Sequence, residues 1–180
     1  MELYVLFFTS MISYGAAINS RCPAHLPKNE FLREFGNSCY EFILDHPGDW
    51  HHADADCRIK NGYLVDIQTY SEQGFLFNAC QELGFHDDKG LWIGLTDGDD
   101  YSQEGTWHWV SNNGISFANW GDGQPGMVGG LEDCVLMQFS DHGQWHDYPC
   151  QGFLFLTENH GWICEYPLPT QNMTLTGRGL

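Results

Sequence analysis

The apolar residues of this chain fall into a first half with helical spacing and a second half of short alternating runs. Trp50, Ala53 and Cys57 recur three and four positions apart, and Asn61 continues the stripe. Asp49 stands where an N-cap belongs and Gly62 just past the end. His51 and His52 fall off that stripe and face solvent. A second helix is predicted with Ser71 as its cap, an apolar face of Phe75, Leu76, Ala79, Cys80 and Leu83, and Gly84 as its stop. Strands are predicted at 38–44 and 63–67, and, beyond Gly90, at 91–95, 105–110, 134–139, 143–147 and 161–165. In the 105–110 run, Trp107 and Trp109 share one side. Two helices followed by many short strands read as an α+β fold with an antiparallel sheet.

One interval follows neither period. From Trp120 onward Gly121, Gly123, Gly126, Gly129 and Gly130 crowd around Pro125, then Glu132 and Asp133 abut Cys134, and Asp147 precedes Cys150. Glycine-rich loops lose much entropy on ordering, so one this long requires something to hold it. Two cysteines bracketing clustered oxygen-bearing side chains suggest a disulfide and a hard cation. A second acidic stretch, Asp97, Asp99, Asp100 and Glu104, lies between two predicted strands.

Composition narrows the function classes. A chain of 180 residues suits one domain, and seven Trp spread along it exclude a disordered protein. The formal net charge of −17 argues against nucleic acid or an anionic membrane as partner and is compatible with divalent cations. Residues 1–17 form an apolar run closing on Gly15-Ala16-Ala17, the pattern of a cleaved signal peptide. That run falls short of the roughly 20 apolar residues of a membrane span, so no membrane insertion is expected. Seven cysteines then fit an oxidising, extracellular compartment, with an odd thiol left over. Residues 167–180 form a polar tail carrying an N-glycosylation sequon at Asn172. The chain has no His-Glu-x-x-His, no Gly-x-Ser-x-Gly and no glycine-rich phosphate loop, so it reads as a binding protein and not an enzyme.

From 22 to 166 the chain resembles the C-type lectin-like domain family. The resemblance rests on Cys39-Tyr40, Trp50-x-x-Ala53-x-x-x-Cys57, Trp92-Ile93-Gly94-Leu95, Trp107-x-Trp109, Asn119-Trp120, Glu132-Asp133-Cys134, Trp145-x-Asp147-x-x-Cys150 and Trp162-Ile163-Cys164-Glu165, in that order. It implies the disulfides Cys22–Cys39, Cys57–Cys164 and Cys134–Cys150. Cys80 is then unpaired, either as a buried thiol on the second helix or as a handle for a covalent homo-oligomer. It further implies that one Ca²⁺ and the hydroxyls of a sugar share a ligand set mapping to Gln124, Gly126, Glu132, His146 and Asp147, around Pro125. A second cation site maps to Asp97, Glu104, Glu132 and Asp133, with Met127 where another acid is usual.

Two positions depart from the family pattern. Gly126 offers no side-chain oxygen, and His146 offers nitrogen to a cation that prefers oxygen. That leaves Gln124, Glu132 and Asp147 as side-chain ligands of the principal site, with two negative charges between them. Gln124-Pro125 is similar to the galactose-type version of the motif, which points to galactose or N-acetylgalactosamine. If neutral His146 contacts the sugar, binding changes between about pH 5 and 8. Asp141, His142, His146 and Asp147 also contain the donor types of a transition-metal site, although Gly143 and Trp145 predict strand and turn there. The function expected is a secreted lectin recognising glycans on microbes or other cells. The alternative is a relative that keeps the fold, has lost calcium-dependent sugar binding, and binds a protein or a mineral surface.

Overall fold

The computed structural model describes residues 21–85, 90–98, 104–126, 130–152 and 158–168. Residues 1–17, expected to be a signal peptide, and Asp99, Asp100, Met127, Gly129 and Asn172 lie outside the described residues. The elements in chain order are β1 (Leu32–Phe35), β2 (Ser38–Gly48), α1 (Trp50–Ile59), β3 (Tyr63–Leu64), α2 (Tyr70–Glu82), β4 (Leu91–Thr96), β5 (His108–Trp109), β6 (Cys134–Gln138), β7 (Gln144–Tyr148) and β8 (His160–Pro167). A single 3-10 turn, Phe139–Asp141, joins β6 to β7.

Both helices begin on a hydrogen-bonding cap. Asp49 Oδ1 accepts the His52 amide at 2.8 Å, and Trp50, Ala53 and Cys57 are buried as the stripe predicts. The stripe ends before Asn61. That residue turns left-handed at φ 62°, its amide and that of Gly62 closing back on Arg58 and Cys57 carbonyls. Asn is one of the few residues that tolerates this conformation, so it, and not Gly62, is the stop. The cap of α2 is likewise displaced. Thr69, two residues before Ser71, accepts the Glu72 amide at 3.1 Å. Glu72 reaches back to the Gln68 amide at 2.9 Å, which completes a capping-box arrangement that fixes the start.

The strands run in the order β1-β2-β8-β4-β6-β7, with β3 added on β8 and β5 on β4. All of these pairs are antiparallel except β4 with β8, which are parallel through Leu91↔Gly161 and Trp92↔Trp162. The sheet is antiparallel, as expected, apart from that one central pair. A parallel pair needs a long crossover, and here the whole chain between 97 and 159 supplies it. Alternate residues of the central strands feed two cores. Trp92, Leu136, Trp162 and Cys164 join Trp50, Ala53 and Cys57 of α1. Leu91, Ile93, Val135, Met137 and Ile163 join Leu76, Ala79 and Cys80 of α2. The sheet is thus covered by a helix on each face, and its period of two is what assigns the residues.

The three disulfides are Cys22–Cys39, Cys57–Cys164 and Cys134–Cys150, as the resemblance implied. Cys80 is free and fully buried.

Candidate glycan and cation sites in the long loop

The loop hangs from a rigid base. β6 and β7 pair so that Val135 faces Asp147 and Leu136 faces His146, with the Cys134–Cys150 bridge beside them. The chain entering the loop docks on β7 through a Trp120↔Trp145 bridge. There the Trp145 amide donates to Asn119 O at 2.7 Å and the Gly121 amide to Trp145 O at 3.0 Å. The rings of Trp107, Trp109 and Trp120 meet edge-on around this anchor, Trp109 and Trp120 each against Trp145. Such aromatic pairs add about 0.5–1.5 kcal/mol each beyond the area they bury.

At the tip, the five residues assigned to the principal site come together. The Gln124–Pro125 peptide is cis. The Gly126 amide donates to Gln124 Oε1 and to Asp147 Oδ1, both at 2.9 Å. Gln124 Nε2 lies 3.3 Å from His146 Nδ1, and His146 Nε2 lies 2.7 Å from Asp141 Oδ2. An ionised carboxylate can only accept, so in the neutral imidazole Nε2 carries the proton and Nδ1 is left to accept from the Gln124 amide nitrogen. That orientation presents Oε1 to Gly126, so the donors and acceptors agree along the chain of contacts. A Cβ on Gly126 would stand 3.3 Å from Glu132 Oε2 and 3.5 and 3.6 Å from the two Asp147 oxygens. Two carboxylates therefore converge where the glycine has no side chain. Burial, and then the Asp147 charge, hold the Glu132 carboxyl above the usual carboxylate range.

This donor set does not fit a calcium ion. Gln124 Oε1 and Asp147 Oδ1 already accept the Gly126 N–H, the third ligand position is a glycine, and His146 offers nitrogen. Ca²⁺ requires 6–8 oxygens.

The second set brings three carboxylates together. Asp97, Glu104 and Asp133 each place a carboxylate oxygen within 4.8 Å of the others. Asp97 is 1% exposed; its Oδ2 accepts the Gly105 amide at 2.8 Å, while Oδ1 is buried without a hydrogen-bond partner. A buried, unsatisfied carboxylate oxygen beside two further acids is costly unless a cation joins it. The end of β4 sets the spacing, since the Thr96 hydroxyl and the Asp97 amide both donate to Asp133 O. Glu132, assigned by resemblance to both sites, faces Gly126 and is not one of these three carboxylates.

The transition-metal alternative is not assembled. Asp141 and His146 meet as a hydrogen-bonded pair and His142 caps the turn left-handed at φ 55°. Among the described residues, none of the three-membered groups of His, Cys, Asp and Glu with metal-ligand spacing contains them. Asp141, expected beside His146 only as a metal donor, is instead its hydrogen-bond partner. It lies outside the motifs that carry the resemblance, and the turn between β6 and β7 brings it to His146, five residues on.

A family model, the Lectin C-type domain, matches residues 47–166. The hepatic lectin of Gallus gallus is 36% identical over 137 residues, 75% of this chain and 58% of that protein. The perlucin-like protein of Mytilus galloprovincialis is 29% identical, across 87% of this chain and 94% of its own length. The cow C-type carbohydrate-recognition domain of CD23, solved in the presence of a GlcNAc2Man3 oligosaccharide, superposes with a TM-score of 0.63 at 33% identity, covering 78% of this chain and 96% of that one. The chain spans about half the length of the hepatic lectin and of other curated relatives it matches. With the matched model covering most of the described structure and the disulfides and loop base in place, the chain belongs to the C-type lectin domain family.

Proposed function

We propose that this chain is a secreted glycan-binding protein whose recognition surface is the tip of the long loop. The observation that carries this reading is the convergence of Gln124, Glu132, His146 and Asp147 around the bare Cα of Gly126. Carboxylate and amide groups held in fixed directions on a rigid base suit the hydroxyls of a sugar ring. Galactose and N-acetylgalactosamine are the first ligands to test, because Gln124-Pro125 is similar to the galactose-type motif. Ca²⁺ is assigned to Asp97, Glu104 and Asp133, beneath the loop, as a structural strut. Three disulfides support an extracellular setting. No helix among the described residues is long and apolar enough to cross a membrane.

A glycan array probed with the full chain, with Ca²⁺ and with EDTA, tests the reading. Binding to a defined glycan set is expected, with Glu132→Gln reducing it about ten- to a hundredfold, the loss of one hydrogen bond to a charged group. Chelation and Asp97→Asn should weaken binding alike, with no change in which glycans are bound. An array with no binding to any glycan in either condition refutes the proposal.

A further inference from the structure

The polar chain at the loop tip begins at a residue just upstream of the Trp145-x-Asp147-x-x-Cys150 motif. Asp141 ends the 3-10 turn between β6 and β7, and its Oδ2 holds His146 Nε2 at 2.7 Å. The next contacts run from His146 Nδ1 to Gln124 Nε2, from Gln124 Oε1 to the Gly126 amide, and from that amide to Asp147 Oδ1. Asp147 sits on β7 one residue after His146, so the contacts close a ring that starts and ends on the same hairpin. The pair fits because position 121 is glycine. A Cβ there would lie 2.6 Å from His146 Nε2 and 2.8 Å from Asp141 Oδ2. Each group in the ring has a partner of the right polarity, and none of these bonds requires a cation. Gln124 Oε1 and Asp147 Oδ1 each give a lone pair to the Gly126 N–H, which leaves a cation at the tip fewer free oxygens than the 6–8 that Ca²⁺ takes.

We propose that this hydrogen-bonded ring takes the place of the calcium ion at the loop tip, so that Asp141 is a positioning residue for glycan binding and the tip contacts its ligand without metal. The proposal rests on the loop tip being the glycan surface. It predicts what each group does. Asp141 fixes the imidazole tautomer, His146 fixes which end of the Gln124 amide faces Gly126, and Gly126 sets the Asp147 carboxylate. Glu132 and Asp147 Oδ2, which takes no part in the ring, are then left to accept from sugar hydroxyls directly, by ordinary hydrogen bonds.

Counting ions needs no glycan and separates this inference from the functional proposal. Calorimetric titration of the full disulfide-bonded chain with Ca²⁺ should give one ion per chain, lost in Asp97→Asn and retained in Glu132→Gln. Two ions per chain, or a single ion lost with Glu132→Gln and kept with Asp97→Asn, overturns it. No bound ion at all would remove the strut beneath the loop and leave the metal-free tip standing. Long-range ¹H–¹⁵N NMR on calcium-free protein reads the ring itself. His146 should be the Nε2–H tautomer in the parent and in Asp141→Asn, which keeps an acceptor oxygen, and should lose that preference in Asp141→Ala. A dominant Nδ1–H tautomer in the parent, or an unchanged tautomer in Asp141→Ala, refutes the role given to Asp141. A merely structural aspartate would lower stability and leave the tautomer alone.

Discussion

Glu165 lies in β8 at 6% exposure, among acids, and its replacement by glutamine should change how stability depends on pH. Ser38 donates its hydroxyl to Glu165 Oε1 at 2.7 Å and the Asp66 amide donates to Oε2 at 3.2 Å. These two bonds favour the ionised form but do not win. Burial, joined by the charges of Glu72 and Asp66, raises the carboxyl from 4.5 to about 7. A carboxyl raised on folding binds more protons in the native state than in the unfolded one between those two values. Its contribution is therefore fully present below pH 4.5 and lost as pH rises through 7. A shift of about 2.5 units at 1.36 kcal/mol per unit makes that loss about 3 kcal/mol by pH 8.

Glu165→Gln removes the titration and keeps the shape. The new amide can accept from the Asp66 amide with its oxygen and donate to the Ser38 hydroxyl, which rotates to suit. Urea unfolding followed by Trp fluorescence, with disulfides intact, should give equal stabilities for parent and variant at pH 4.5. At pH 8 the variant should be more stable by up to about 3 kcal/mol, the gap opening between pH 5 and 8. A difference of the same size at both pH values would refute the reasoning, since it would mean that the variant changed packing and not protonation.

Three further outcomes follow from the geometry. Cys80 is fully buried, and burial pushes its thiol up, so native protein should resist iodoacetamide, take up one equivalent per chain in guanidinium chloride, and run as a monomer on non-reducing electrophoresis. Replacing both Cys57 and Cys164 by Ala opens a bridge that spans a sequence separation of 107 and should cost about 4–5 kcal/mol in thermal or urea unfolding. Gly121→Ala should cost about 1–3 kcal/mol and scramble the His146 tautomer, because its Cβ meets the Asp141–His146 pair; Gly114→Ala, with nothing within 4 Å, should stay within about 0.5 kcal/mol of the parent.

The parts of the fold that were legible in the sequence are those where one period runs long enough to name a face. Trp50, Ala53 and Cys57 announced α1, and the Leu91 and Cys134 runs announced the central strands, because each residue there has one buried destination. The boundaries were less legible. Asn61 looked like the next step of a stripe and is a left-handed stop, and Ser71 looked like a cap although Thr69 with Glu72 makes the better pair. Both errors are local hydrogen-bond choices between residues of nearly equal propensity. β1 went unseen because Leu32–Phe35 is a short edge strand with a single fully buried residue, too little to show a period. The parallel β4–β8 contact joins segments some 70 residues apart, and no local pattern encodes it.

The site divides along the same line. Asp97 and Asp133 could be paired by resemblance because the ends of β4 and β6 fix them. Asp97 and Asp133 are joined through backbone bonds, so substitutions elsewhere in the loop leave their spacing alone. The tip has no such backbone frame and is defined by which side chains happen to satisfy one another. A family motif can record that an oxygen is missing at Gly126 but not that the glycine's own amide fills the gap, or that Asp141 reaches His146 around a turn. Loss of a ligand at such a tip need not unfold it. The base, stapled by Cys134–Cys150 and the Trp120–Trp145 bridge, is satisfied independently of the tip. A set of hydrogen bonds at the tip can therefore change without disturbing the core, which is why the fold of this chain follows from its tryptophans and cysteines and not from Gln124, Gly126, Asp141 and His146.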